Sequence, residues 1–200
     1  MTSLAKSLNC DGRNGGALAL LGGALLLLAV PQQWALMHLA FDRGALLRGE
    51  HWRWFTGHVV HLDLTHAVLN VAGLVLVWAL YRHLWSAGQW LFITLAGMLA
   101  IDAGLWWWQP HLQWYVGASG VLHALLAAGL MAQLRRERAV ALVVAILFVA
   151  KLVWEARSGA LPFAGEAERV VLPAHRYGAV GGVLGAVLLR AAQTLRRKWL

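Results

Sequence analysis

The sequence predicts an all-α membrane protein, a single bundle of six transmembrane helices. Three observations carry that reading. Of the 200 residues, 60% are hydrophobic and 13% charged, with a mean hydropathy of +0.61, whereas a soluble domain averages about 25% charged residues. Six apolar runs each approach the ~20 residues that a spanning helix needs. The basic residues concentrate in alternate connecting segments, the pattern of the positive-inside rule. That placement explains the net charge of +8 without nucleic acid, for which the chain offers no reading motif.

The first run extends from about Gly16 to Met37 and contains Pro31. Lys6 and Arg13 precede it, as basic residues precede a secretory signal. Apolar sequence continues to Leu39 and five more runs follow, so a retained span is expected. The second run is Leu64 to Tyr81, the third Gln89 to Trp107 and the fourth Val116 to Leu134. The fifth is Ala139 to Trp154 and the sixth Pro173 to Ala192. With a short leading segment, 1–15, and a basic tail, 193–200, residues 1–200 are expected to form one domain.

Charge sets the expected orientation. Lys6 and Arg13, Arg82, the group Arg135, Arg136 and Arg138, and the run Arg196, Arg197 and Lys198 fall on one side, which makes that side and both termini cytoplasmic. The opposite side receives the segment 41–63, the short turn 109–115 and the loop 157–172. Trp106, Trp107, Trp108 and Trp114 flank the short turn and suit an interfacial aromatic belt. The segment 41–63 holds Trp52, Arg53, Trp54 and Phe55 and is expected to be a structured, partly embedded loop. The one cysteine, Cys10, excludes an intramolecular disulfide and reads as an incidental thiol.

In this topology the second, fourth and sixth spans run from outside to inside, each with polar residues in its first turns. His66 and Asn70 share a helix face, being four apart. Ser119 stands in Gly117-Ala-Ser-Gly120, and His175 in Pro173-Ala-His-Arg. Polar groups inside a membrane mark function by default. A serine hydroxyl becomes a nucleophile when a base accepts its proton, and an imidazole titrates in the right range. Peptide hydrolysis also needs donors for the developing oxyanion, which His66, Asn70 and the Ser119 backbone N–H can supply. Gly117, Gly120, Gly178 and Gly182 let helices approach closely, as a Ser–His contact demands.

The chain resembles the rhomboid intramembrane serine proteases. The matching pieces are Trp52-Arg53, His61 through His66-Ala-Val-Leu-Asn70, Gly117-Ala-Ser-Gly120, and Ala174-His175 followed by Gly178 and Gly182. They fall in family order on the expected spans. The resemblance implies a rhomboid-like six-helix bundle around a cavity that opens outward. It implies a Ser–His dyad without an acid, Ser119 as nucleophile and His175 as base, with His66 and Asn70 lining the oxyanion hole. Thr56-Gly-His-Val-Val-His61 and Tyr115-Val-Gly-Ala-Ser-Gly-Val-Leu-His123 make the rhombosortases the most similar subfamily. That subfamily implies single-span membrane substrates with a C-terminal glycine-rich motif, an apolar helix and a basic tail, in a Gram-negative inner membrane with the site facing the periplasm. No cofactor is expected. Where many rhomboids carry an aromatic residue one turn after the serine, this chain has His123, a second candidate for the base. His175 is favoured, because a residue one turn along the same helix points beside the hydroxyl.

Other polar groups have readings of their own. His58, His61, Asp63 and His66 offer zinc-compatible donors, but in no established zinc spacing, so no metal is expected. Asp102, within the third span, is expected to bond to a neighbouring helix or to reach the outer interface. Lys151 and Glu155, one turn apart, are expected to pair near the outer surface. A non-catalytic membrane chaperone or transmembrane-segment binder that uses the same groove is the alternative function.

Overall fold

The computed structural model describes residues 15–159 and 171–198. Lys6, Cys10, Arg13 and most of the loop 157–172 lie outside the described residues. The elements in chain order are α1 (Gly15–Ala29), α2 (Gln32–Leu39), β1 (Phe41–Asp42), α3 (Arg43–Leu47), α4 (Arg53–Thr56) and α5 (Leu64–Tyr81). They continue with a 3₁₀ turn (Arg82–Leu84), α6 (Ala87–Trp108), β2 (Trp114–Tyr115), α7 (Ser119–Gln133), α8 (Arg138–Ser158) and α9 (Pro173–Lys198). Among the described residues, four helices, α5 with its 3₁₀ extension, α6, α8 and α9, are long and apolar enough to cross a membrane. The pair α1 and α2 would make a fifth crossing if taken as one broken span.

Two of the six expected runs therefore differ from plain spans. The run 16–37 is broken, with α1 and α2 meeting at an angle of 98°. Pro31 is the cause, since it has no N–H to donate and its ring blocks the preceding turn. The second difference is α7, which has 15 residues. At 1.5 Å per residue it is only about 22 Å long, against a hydrocarbon core of about 30 Å.

The short helix is the centre of the bundle. Val121, Ala124, Leu125, Ala127, Ala128 and Leu130 of α7 are buried. Beside it run α5 and α9, both parallel to it. On α5, Gly73 faces Leu122, and Tyr81 faces Gly129. On α9, Gly178 and Gly182 lie against the backbone carbonyls of Gly120 and Ala124. The antiparallel α6 packs against both α7 and α9, with its Gly97 against Ala124 and with Gly181 against its Ala96 and Ala100. Small residues at these crossings let backbones touch, which supplies the dispersion contact that holds helices together in lipid. The side chains left exposed around the bundle are apolar, among them Leu91, Leu99, Val143, Ile146, Leu147 and Leu184, as a lipid-facing surface requires.

The segment 41–63 is structured, as expected, and two arginines hold it. Arg53 is buried; it donates to Glu50 Oε2 (2.8 Å) and to the carbonyls of Ala40 and Met37 (2.8 Å each). Arg43 donates to the carbonyls of Leu105 (2.9 Å), Trp106 (3.2 Å) and Gln109 (3.2 Å). It thereby satisfies orphan acceptors at the C-terminal end of α6, where a cation is favoured. The pairing of β1 with β2 is antiparallel, Phe41 opposite Tyr115, and ties the segment to the turn before α7. Trp107, Trp108 and Trp114 are exposed. Trp106 instead packs inward, edge-on to Trp54 at 5.2 Å and under the Arg43 guanidinium at 4.4 Å.

Candidate active site

Ser119 is the first residue of α7, and the turn before it is fixed from three directions. Gly117 has φ +124°, a conformation that L side chains rarely adopt. Its N–H donates to the Gly57 carbonyl at 2.9 Å, and its own carbonyl accepts the Tyr115 hydroxyl at 2.5 Å. Burial raises the pKa of Tyr115, so the hydroxyl remains a donor. A Cβ on Gly117 would meet His66 Cε1 at 2.9 Å, so only glycine leaves room for that ring.

His175 lies in the first turn of α9 and is buried. The backbone contacts at Gly178 and Gly182 draw its helix against α7, and His175 Nε2 stands 2.9 Å from Ser119 Oγ. The ring of His123 stacks on His175 with centroids 4.1 Å apart and planes 8° from parallel. His123 Nδ1 is 2.6 Å from the Ser119 carbonyl, and its Nε2 meets Lys151 Nζ. Neither nitrogen of His123 addresses the serine hydroxyl. Of the two histidines, His175 is the one whose ring nitrogen reaches the Ser119 hydroxyl.

The other nitrogen of His175, Nδ1, is 3.0 Å from Glu155 Oε2. Glu155 is also bridged to Lys151 Nζ at 2.9 Å through Oε1. The expected Lys151–Glu155 pair is therefore present, but it faces the site and not merely the outer surface. Two ionisable residues one turn apart in an otherwise apolar helix were the available signal; their reach toward His175 was not legible in the spacing.

His66 and Asn70 adjoin the same cavity. Asp63 caps α5 by accepting from the His66 N–H at 2.7 Å, which fixes the first turn. Leu62 N–H approaches His66 Nδ1 at 3.4 Å, which places the ring proton on Nε2 when assigned from its partner. His66 Nε2 is buried with no partner among the described residues. Asn70 Nδ2 gives one hydrogen to the His66 carbonyl at 2.9 Å and keeps a second.

These residues share a cavity of about 370 Å³ between α5, α7 and α8. His66, Asn70, Ser119, His123, Glu155 and His175 occupy one end, and Leu76, Val77, Leu80 and Leu126 line the rest. The result is an apolar groove with its hydrogen-bonding groups gathered at one place.

The zinc-compatible loop residues do not converge. His58 Nε2 pairs with Asp102 at 3.2 Å, so Asp102 bonds to the loop and not to a neighbouring helix. Asp63 serves as the cap, and His61 lies edge-on to His66, with ring centroids 5.1 Å apart. A different set, His123, Glu155 and His175, brings donor atoms within 4.8 Å of one another. Lys151 Nζ contacts all three residues, at 2.9 Å from Glu155 and 3.4 Å from His175. The chain's own ammonium thus occupies the place an ion would take.

A family model described as the rhomboid domain matches residues 48–192. No curated protein matches the chain.

Proposed function

The chain belongs to the rhomboid family, whose members are generally intramembrane serine proteases, and on that premise we propose that it is an intramembrane serine endopeptidase with Ser119 as nucleophile and His175 as base. The observation that carries the reading is the 2.9 Å contact between Ser119 Oγ and His175 Nε2 at the polar end of an apolar groove. Ser119 Oγ attacks the scissile carbonyl while His175 Nε2 takes its proton. His66 Nε2–H, the free Asn70 amide N–H and the Ser119 backbone N–H donate to the oxyanion. His175 then returns the proton to the leaving amine, and water releases the acyl-enzyme by the same steps in reverse order.

The six apolar runs are then six crossings of one domain, residues 1–200, with both termini cytoplasmic and the site open to the periplasm of a Gram-negative inner membrane. The short α7 supports this, since a helix of about 22 Å leaves its N-terminal serine sunk below the surface, where water reaches it through the groove. A substrate helix comes laterally from the lipid past α8, of which Ala141 is the buried residue. Intact helices have their carbonyls hydrogen-bonded, so the substrate unwinds near its outer end before attack.

The stretches 56–61 and 115–123 favour rhombosortase-type substrates, single-span proteins that end in a glycine-rich motif, an apolar helix and a basic tail. The test is co-expression with a single-span reporter carrying such a tail. Cleavage is expected with the wild-type chain and is lost in Ser119→Ala. Undiminished cleavage by Ser119→Ala contradicts the reading.

A further inference from the structure

We propose that Glu155 is a positioning residue for His175, held in place by Lys151, so that the reacting pair Ser119–His175 works with an acid supplied by α8. The inference rests on the reading of Ser119 and His175 as nucleophile and base, and it adds a third group to what the family resemblance implies.

Five short contacts fix where the protons of this cluster lie. Ser119 Oγ–H must donate to His175 Nε2 (2.9 Å) for the base to act. His175 Nδ1 then carries the ring proton and donates it to Glu155 Oε2 (3.0 Å). Lys151 Nζ donates to Glu155 Oε1 (2.9 Å) and to His123 Nε2. His123 Nδ1, protonated in turn, donates to the Ser119 carbonyl (2.6 Å). One assignment of tautomers satisfies all five contacts, leaving only the longer approach of Lys151 Nζ to His175 Nδ1 (3.4 Å) as donor against donor, and the ring of bonds closes on the residue where it began. Reversing the His175 tautomer keeps a hydrogen bond to Ser119, whose Oγ accepts from Nε2–H, but it removes the lone pair that takes the serine proton and turns the Nδ1 lone pair toward the Glu155 carboxylate.

The carboxylate does two things at that position. It fixes the tautomer whose lone pair faces the serine, and its negative charge stabilises the imidazolium that forms when His175 accepts the proton. Glu155 is well placed for both, since its side chain is 7% exposed and a buried carboxylate acts with little screening. Lys151 compensates that charge in the free protein, as a buried carboxylate requires, from one turn away on the same helix.

A purely structural role is the competing account. With Ala141 as its buried residue, α8 has few ties to the bundle, and the Lys151–Glu155 cluster is one of them. Kinetics separate the two accounts. A fluorophosphonate probe reacts when Ser119 Oγ forms a bond to phosphorus, fluoride leaves and His175 takes the serine proton. Its inactivation constant kinact therefore reports serine activation, and KI reports probe binding.

Glu155→Gln keeps an acceptor but removes the charge, whereas Glu155→Asp keeps the charge and the Lys151 pair but falls one methylene short of His175. Both are expected to lower kinact about tenfold or more, with KI within about twofold of wild type and little change in melting temperature for Glu155→Asp. Wild-type kinact in either folded variant overturns the inference. A rise in KI and a fall in melting temperature with kinact preserved assign Glu155 to scaffolding alone and also overturn it. Ser119→Ala is run beside them. If it labels like wild type, the nucleophile assignment itself has failed, and if its label vanishes while the Glu155 variants react normally, only the role of Glu155 has.

Discussion

At the scale of single residues, the site depends on which polar atoms are partnered and which are left open. His66 Nε2 and one N–H of Asn70 are the open donors, and they stand beside the serine. Removing one oxyanion donor costs about 10²–10³ in rate. Asn70→Ala is accordingly expected to lower kcat for a cleaved reporter about a hundredfold, while KM stays close to wild type, as steady-state kinetics in detergent will show. A fall confined to KM would mean that Asn70 binds substrate and does not stabilise the transition state. His61 makes a second test. Burial, and secondarily the neighbouring His66, lower its pKa from 6.5 to about 4. The unfolded chain binds a proton there between those values and the folded chain does not, so stability is full above pH 6.5 and falls as pH drops toward 4. At about 1.4 kcal/mol per unit, the loss is of the order of 3 kcal/mol. The melting temperature of the wild type is expected to fall across that window more steeply than that of His61→Gln.

At the scale of elements, the contact between α7 and α9 brings His175, the proposed base, onto Ser119, the proposed nucleophile. A Cβ at Gly178 would collide with the Gly120 carbonyl, and backbone cannot yield as a flexible side chain can. Gly178→Leu is expected to push the helices apart, with an overpacking cost of about 1–3 kcal/mol and, for a displacement of about 1 Å, a loss of about a hundredfold in activity. Melting temperature and reporter cleavage measure the two effects. Gly23 meets nothing within 4 Å, so Gly23→Ala in α1 serves as the control and is expected to leave both unchanged. The glycine spacing on the sixth run foretold this contact, because three- and seven-residue steps return to one helical face. The break at Pro31 was legible as a proline inside a run; its angle was not, since a kink's size depends on what the freed segment packs against. The 15-residue length of α7 was also hidden. Val116 to Ala118 continue the apolar pattern, and Gly117 ends the helix through backbone geometry that hydropathy does not register.

At the scale of the whole molecule, the sequence revealed the class of protein and the residues that meet. Ser119, His175, His66, Asn70 and His123 adjoin one cavity, brought there by parallel neighbours α5, α7 and α9. Their shared depth could be read from alternating span direction alone. What escaped the sequence was lateral. Trp106 packs inward because Arg43 and Trp54 arrive from the loop, Asp102 finds His58 from the same loop, and Glu155 reaches His175 from α8. Each is a contact between segments far apart in the chain, set by how helices rotate about their axes, which no periodicity fixes to within a side chain. The whole also explains the division of labour in the bundle. The tightly packed α6, α7 and α9 hold Ser119 against His175, and the peripheral α8 brings the Lys151–Glu155 pair to them across the groove.

The proposed mechanism requires an activated serine at the head of α7. Purified, detergent-solubilised protein labelled with a fluorescent fluorophosphonate, with the adduct mapped by mass spectrometry, tests this directly beside Ser119→Ala and His175→Ala. The prediction is a single adduct on Ser119 in the wild type and none in either variant. Equal labelling of all three, or an adduct mapped to any other residue, contradicts it.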